Sequence, residues 1–438
     1  MRLTRLRIVA TAFVLGLSAL AVGTSGPAAA PTRAADATIS PQTVLDWNSI
    51  AVDTVRAATP AKFQIEGQLY MTYVQAAVYD AVVAATGKGT PYRKLKVTIP
   101  GASPRAAVAS AAYSTLMYFF PAQATSLTAT YTDYLNVTLS KLTASAKQAG
   151  VAVGAAAAAD LIASRWGDGR DAPVATAYGV GPQPAGTWVF APAPSAQSAQ
   201  TPWVGFMKPF LMESASQFRS PAPPAMTSAQ YTADFNEVKT LGSATSTART
   251  AAQTAIGQFW NANVINQYAQ VFQSVAKAHN FDLAATARLL AMGTMVSSDA
   301  GIACMDAKYH YLLWRPVTAI RGADSDGNPD TAAASSWSPL LTTPNHPEYP
   351  SAHGCVTAAT IAVLENVLKT KTINVDVPGA TGGGTTLTTT RHFATGDELL
   401  TDVANARVWA GLHYRFSTTA GVELGKAVAK WDLDHFGK

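Results

Sequence analysis

GQLYMTYVQAAVYDAVVAATG, residues 67–87, carries apolar side chains on nearly every face and a single charge, Asp80. A helix at a protein surface keeps one polar side, whereas a helix that is apolar all round is enclosed by its neighbours. The stretch therefore predicts a helix buried within a bundle. Working outward, helical patterns also fit 44–58, 105–120, 126–165, 228–241, 251–279, 283–314, 358–368 and 397–434, mostly alanine-rich and joined by polar breaks. Strand-like alternation is confined to 373–377 and 385–390, around the glycines at 382–384, where one small hairpin is expected. The expected fold is all-α: helical bundles in two fused four-helix-bundle-like halves, residues 31–240 and 241–438, with a small β-hairpin and long wrapping loops.

Residues 171–226 differ from the rest. They hold ten of the chain's 25 prolines, yet also Trp188, Phe190, Trp203, Phe206 and Phe210. A flexible linker would be poor in aromatics. The reading is a long irregular segment of the first half, pinned over the helices by its rings.

The chain opens MRLTRLRIVATAFVLGLSALAVGTSGPAAA. Three arginines (Arg2, Arg5, Arg7) precede a charge-free apolar run, and small residues follow it. That order is the pattern of a secretory signal peptide over 1–30, with cleavage near Ala30. A membrane-spanning helix needs roughly 20 apolar residues, more than this run supplies. The expected location is secreted, extracellular or periplasmic. Removing the three arginines takes the formal charge from +5 to about +2. No run of Lys or Arg stands out, which argues against nucleic-acid or membrane-surface partners. The two cysteines, Cys304 and Cys355, flank motifs described next and are either a disulfide or two buried thiols.

Three stretches concentrate polar chemistry in apolar surroundings. In KYHYLLWRP, 308–316, Lys308 and Arg315 stand seven apart, about two helical turns, and share one face of a continuous helix. Two cations in a dry setting need a counter-anion, from Asp299 and Asp306 upstream or from a bound oxyanion. In HPEYPSAHG, 346–354, Pro350 halts regular structure and an apolar run follows, so Ser351 is placed as an N-cap. An open helix N-terminus is an anion site, and His353 would face the same anion. No G-x-S-x-G surrounds Ser351, so it reads as an oxygen-binding donor and not a nucleophile. In ARVWAGLHYRFS, 406–417, Arg407 offers a planar fork for an oxyanion. His413 lies six residues on, so either the two approach an anion from different sides or the helix breaks at Gly411.

Taken in order, Lys308, Arg315 and Pro316, then Pro350, Ser351 and His353, then Arg407 and His413 resemble the signature of the vanadium-dependent haloperoxidase and type 2 phosphatidic acid phosphatase superfamily. DAGIACMDAKYHYLLWRP, HPEYPSAHG and the SQFRSPAPP wrap look like secreted bacterial haloperoxidase-like proteins. The resemblance implies that Lys308, Arg315, Arg407, Ser351 and the N–H of Ala352 hold vanadate or phosphate. It implies His413 as the vanadium ligand, or as the nucleophile of an acid phosphatase passing through a phosphohistidine, and His353 as the general acid–base. Vanadate is the implied cofactor; hydrogen peroxide, a halide and a small organic acceptor are the implied partners.

Three positions depart from the pattern: Ala352 for glycine, Ala406 for serine, and Ser417 for the aspartate that could orient the histidine. They favour a further alternative, an oxyanion-binding protein weak in catalysis. His346 matches a position where chloroperoxidases carry Phe and bromoperoxidases His, and Met305 stands where a chloroperoxidase has Trp. Both lean toward bromide over chloride, unless His346 merely hydrogen-bonds Glu348 or backbone. His279, His310, His392 and His435 are expected at the surface or in structural roles.

Overall fold

The buried helix forms as α2 (Gln64–Thr86), in which every residue from Ile65 to Val83 is buried. It stops at Gly87, which takes the left-handed conformation that a helix C-terminus favours. The structure is a computed structural model describing residues 39–174, 177–190 and 199–438, so the expected leader at 1–30 lies outside the described residues. Around α2 stand α1 (Gln42–Arg56), α3 (Pro104–Phe119), α4 (Ala124–Asp133) and α5 (Ala144–Ser164). Next come α6 (Ala229–Leu241), α7 (Ala251–Phe259), α8 (Val264–Ala278) and the 29-residue α9 (Leu283–Tyr311). The chain finishes with α10 (Pro316–Arg321), α11 (Ala352–Leu368), α12 (Gly396–Trp409) and α13 (Arg415–His435). Between α11 and α12, β1 (Thr372–Gly379) and β2 (Thr389–Thr395) pair antiparallel. Residues 39–438 pack as one compact unit, and α9 is its spine, lying against α2, α11 and α13.

The all-α expectation holds, with differences that have local causes. The pattern over 126–165 is interrupted by a π-helical turn, Tyr134–Thr138, and α5 restarts where the Thr143 side chain accepts the Ala146 N–H. The pattern over 251–279 breaks before Asn263, whose carboxamide accepts the N–H groups of Ile265 and Asn266 and starts α8. The second strand lies at Thr389–Thr395, later than expected, because that register sets buried Phe393 opposite buried Val375. The helix expected at 358–368 begins six residues earlier, at Ala352.

The wrap is pinned as expected by buried Trp188, Phe190 and Phe210, although Phe206 is 62% exposed. Two carboxylates of α9 fasten it. Asp299 accepts the backbone N–H groups of Phe210, Leu211 and Met212 at 2.7, 2.7 and 3.0 Å. Asp306 takes a two-pronged bond from Arg219 at 2.6 and 2.8 Å. Neither faces Lys308 or Arg315 as the sequence suggested: both carboxylates leave α9 toward the wrap.

Candidate oxyanion site

Lys308 is the last cation inside α9 and is fully buried. The helix ends at Tyr311 because Leu312 turns left-handed, so Arg315 does not continue the Lys308 face; it is the extended residue before α10. The two cations meet instead by gripping one loop. Lys308 Nζ donates to the carbonyls of Pro347 and Glu348 at 3.0 and 2.8 Å, and Arg315 Nε donates to the His346 carbonyl at 2.9 Å. An ammonium has three donors, so one of Lys308's remains for a ligand.

Ser351 precedes the first residue of α11, as expected of an N-cap, but its side chain makes no capping bond. Its Oγ is buried and has no protein partner. The backbone is fixed from behind: Ser351 N–H donates to Ser417 O at 3.0 Å, and a Cβ on Gly421 would come within 2.4 Å of Ser351 O. Glycine at 421 thus allows α13 to press against the turn. Ala352 begins α11, where the N–H groups have no helical acceptor.

Arg407 and His413 are brought together by a break in the helix, the second of the two sequence readings. Gly411 has φ +77°, and a Cβ there would sit 2.4 Å from Gly242 O. Only glycine fits that approach without strain. α12 therefore ends, the chain folds back, and His413 N–H bonds to Arg407 O at 3.3 Å. Arg407 Nη1 donates to Trp260 O at 3.3 Å while its Nε is buried without a partner. His353 donates to the same Trp260 carbonyl, and its Nε2 is likewise without a partner.

The sequence reading missed the residue that orients His413. Glu348 is fully buried, and its Oε1 accepts both His413 Nδ1–H at 2.8 Å and Tyr414 N–H at 3.0 Å. The Nδ1 proton is thereby fixed, and the unprotonated Nε2 accepts from Arg315 Nη1 at 3.2 Å. Ser417, which stands where the pattern has aspartate, lies 3.5 Å from Nδ1, too far to replace this bond. The one signal in the sequence was an acid inside an otherwise apolar proline-bounded motif. Nothing in the structure explains the alanine at 406.

Burial dominates the titration of the whole group. It brings Lys308 down to about 8, Arg315 to about 10 and Arg407 to about 9, with the Arg315 charge adding to the fall at Lys308 and Arg407. Burial raises Glu348 to about 7, against the pull of Lys308 and Arg315. It also holds His346, His353 and His413 well below the usual imidazole range, assisted by Arg315 at His346 and His413 and by Arg407 at His353.

A cavity of about 90 Å³ opens among Ala352, His353, Arg407, His413 and His346, walled by Phe63, Ile65, Val264, Pro344 and Leu412. The His346 ring lies 3.0 Å from Arg315 Nη2 and from Pro347 O, and edge-on to Phe63 at 5.8 Å. Its partners are thus the arginine and backbone, not Glu348. Met305 is fully buried in the core and is not among the residues lining the cavity. Cys304 and Cys355 are free thiols, and the four remaining histidines are exposed.

The helical fold and the comparisons that follow support the vanadium-dependent haloperoxidase and type 2 phosphatidic acid phosphatase superfamily for this chain. Residues 288–438 match the VCPO second helical-bundle domain. Vanadium chloroperoxidase of Curvularia inaequalis is 23% identical over 274 residues, 48% of this chain and 44% of that protein, so the match spans under half of the relative's length. A bacterial vanadium-dependent iodoperoxidase of known structure superposes with a TM-score of 0.75 at 22% identity, covering 92% of this chain and 98% of that one. A bacterial vanadium-dependent chloroperoxidase in its holo form gives 0.66 at 16% identity, covering 89% and 96%. At these identities the structural likeness bears on the fold.

Proposed function

We propose that this protein is a secreted vanadate-dependent haloperoxidase that oxidises bromide or iodide with hydrogen peroxide. One observation carries the reading. Three fully or almost fully buried cations, Lys308, Arg315 and Arg407, face one buried carboxylate, Glu348, which leaves a formal +2 around the cavity with the histidines neutral. Uncompensated buried charge costs several kcal/mol per ion. The unpartnered donors Ser351 Oγ and Arg407 Nε, and the unpartnered acceptor His353 Nε2, belong to residues grouped around that charge. A doubly charged tetrahedral oxyanion satisfies both the charge and the donors, so the residues fit vanadate.

Lys308, Arg315, Arg407, Ser351 and the Ala352 N–H would hold the oxygens of vanadate, and His413 Nε2 would be the metal ligand. Vanadate, when bound, supplies the Lewis acid that activates peroxide toward halide. The chain's own residues do the rest. The fixed cations stabilise negative charge without reorganising. Glu348 keeps the proton on Nδ1 of His413, and with it leaves Nε2 unprotonated. His353, neutral and held by Trp260 O, accepts or returns a proton at Nε2. The apolar wall favours halides that shed water easily, bromide and iodide before chloride, and His346 beside Arg315 is the halide-site residue. A cavity this small is far below the several hundred Å³ of a drug-sized ligand site, so the organic acceptor reacts outside it.

The same His413 geometry would serve a phosphohistidine, and the experiment separates the two chemistries. Purified protein stripped of anion receives vanadate, peroxide, bromide and a halogen-trapping dye in one arm, and an aryl phosphate without vanadate in the other. Vanadate-dependent bromination is the expected result. Fast phosphate release with no bromination would make the protein an acid phosphatase, and inactivity in both arms would leave oxyanion binding alone.

A further inference from the structure

Cys304 and Cys355 lie directly behind the cradle, and the proposed reaction does not use them. Both are free and fully buried. Cys304 stands one helical turn before Lys308 on α9. Cys355 stands one turn after Ser351, and its N–H bonds to Ser351 O at 3.1 Å. The Cys355 thiol is hydrogen-bonded to the Cys304 sulfur. Cys304 in turn donates to Pro350 O at 3.6 Å, the carbonyl immediately before Ser351. The two helices that carry the cradle are therefore already in contact through a pair of sulfurs.

The surroundings give the two thiols different characters. Burial alone would raise Cys304, but the Cys355 hydrogen bond and the charges of Lys308 and Arg315 outweigh it and bring that thiol down. Burial and the Cys304 sulfur push Cys355 well up. Thiolate character marks the sulfur that attacks an oxidant, and an adjacent protonated thiol is placed to resolve the product. Ala352 and Val356, on either side of Cys355 in the sequence of α11, line the cavity, and the cysteines themselves lie behind that lining.

We propose that Cys304 and Cys355 are a peroxide-sensitive pair that closes to a disulfide joining α9 to α11 beneath the oxyanion cradle. The Cys304 sulfur attacks one oxygen of hydrogen peroxide, the O–O bond breaks, and a sulfenic acid and one water result. The Cys355 sulfur then attacks Cys304 Sγ; the S–S bond forms, the S–O bond breaks, and the hydroxyl leaves with the thiol proton as a second water. Two thiols are oxidised, one peroxide is reduced, and the atoms balance. A covalent bond is shorter than a thiol–thiol contact, so the first turn of α11 is drawn toward α9. Lys308 and Ser351, each one turn from a sulfur, shift relative to one another. Displacements of about 1 Å in positioned sites cost on the order of a hundredfold. Phosphate affinity is expected to fall about tenfold or more on oxidation.

The test uses the full chain, reduced and without vanadate or halide, so its outcome does not depend on the peroxidase reading. It is exposed to hydrogen peroxide, alkylated after denaturation and mapped by mass spectrometry, with phosphate affinity measured before and after. The expected result is a Cys304–Cys355 cross-linked peptide lacking two hydrogens, reversed by dithiothreitol together with the loss of phosphate affinity. In Cys355→Ser, Cys304 should be trapped as a sulfenic acid by dimedone; in Cys304→Ser, Cys355 should stay a thiol. Recovery of both cysteines as thiols from peroxide-treated wild-type protein would overturn the pair, as would separate over-oxidation of each. A disulfide that leaves phosphate affinity unchanged would overturn its coupling to the cradle.

Discussion

Replacing Glu348 by Gln tests the feature that sets this site apart from its sequence signature. The amide oxygen can still accept from Tyr414 N–H and His413 Nδ1–H, whose distances are 3.0 and 2.8 Å, so the tautomer and the loop are kept. What is lost is the charge. A hydrogen bond to a charged acceptor is worth about 1.5–3 kcal/mol against about 0.5–1.5 for a neutral one. When His413 carries positive charge, the Coulomb term at 2.8 Å is up to about 6 kcal/mol at an effective dielectric near 20. Between these bounds turnover should fall about tenfold at the least and on the order of 500-fold in the middle of the range. Phosphate binding should behave oppositely, because the formal charge around the cavity rises from +2 to +3. The assay pairs steady-state bromination with calorimetric phosphate titration, after circular dichroism has shown a native fold. Turnover within about twofold of wild type would refute the positioning role. A parallel loss of turnover and phosphate affinity would show that Glu348 merely holds the loop in shape.

Three further outcomes are expected. Oxyanion affinity should fall as pH rises through about 8, where buried Lys308 loses the charge that the anion needs; phosphate titrations across that range would show it, and a flat profile would contradict it. Gly411→Ala should lower stability by about 2 kcal/mol or more, since the left-handed backbone and the 2.4 Å approach to Gly242 O leave no room for a methyl group, and it should impair bromination by misplacing His413. Asp299→Ala strips three backbone N–H groups of their buried acceptor and should cost about 3–5 kcal/mol in urea unfolding, loosening the 210–212 segment to proteolysis while sparing the cavity residues.

The sequence by itself determined what depends on near neighbours along the chain. The all-round apolar character of 67–87 required a helix enclosed by others, and the spacing of Lys308, Arg315, Ser351, His353, Arg407 and His413 carried the oxyanion chemistry. The aromatics of the wrap likewise announced that a proline-rich stretch would be packed down. What the sequence could not decide is where a side chain goes once its element ends. Leu312 turns left-handed and takes Arg315 off the Lys308 face, and Gly411 folds His413 back on Arg407. Asp299 and Asp306 sit close to Lys308 in the chain yet serve the wrap, whereas Glu348, 65 residues from His413, supplies its carboxylate. Charge partners are chosen by distance in space, and burial makes a partner obligatory without naming it. Only the packing of α9, α11, α12 and α13 around one loop brings that carboxylate, the cations and the two thiols within reach of each other.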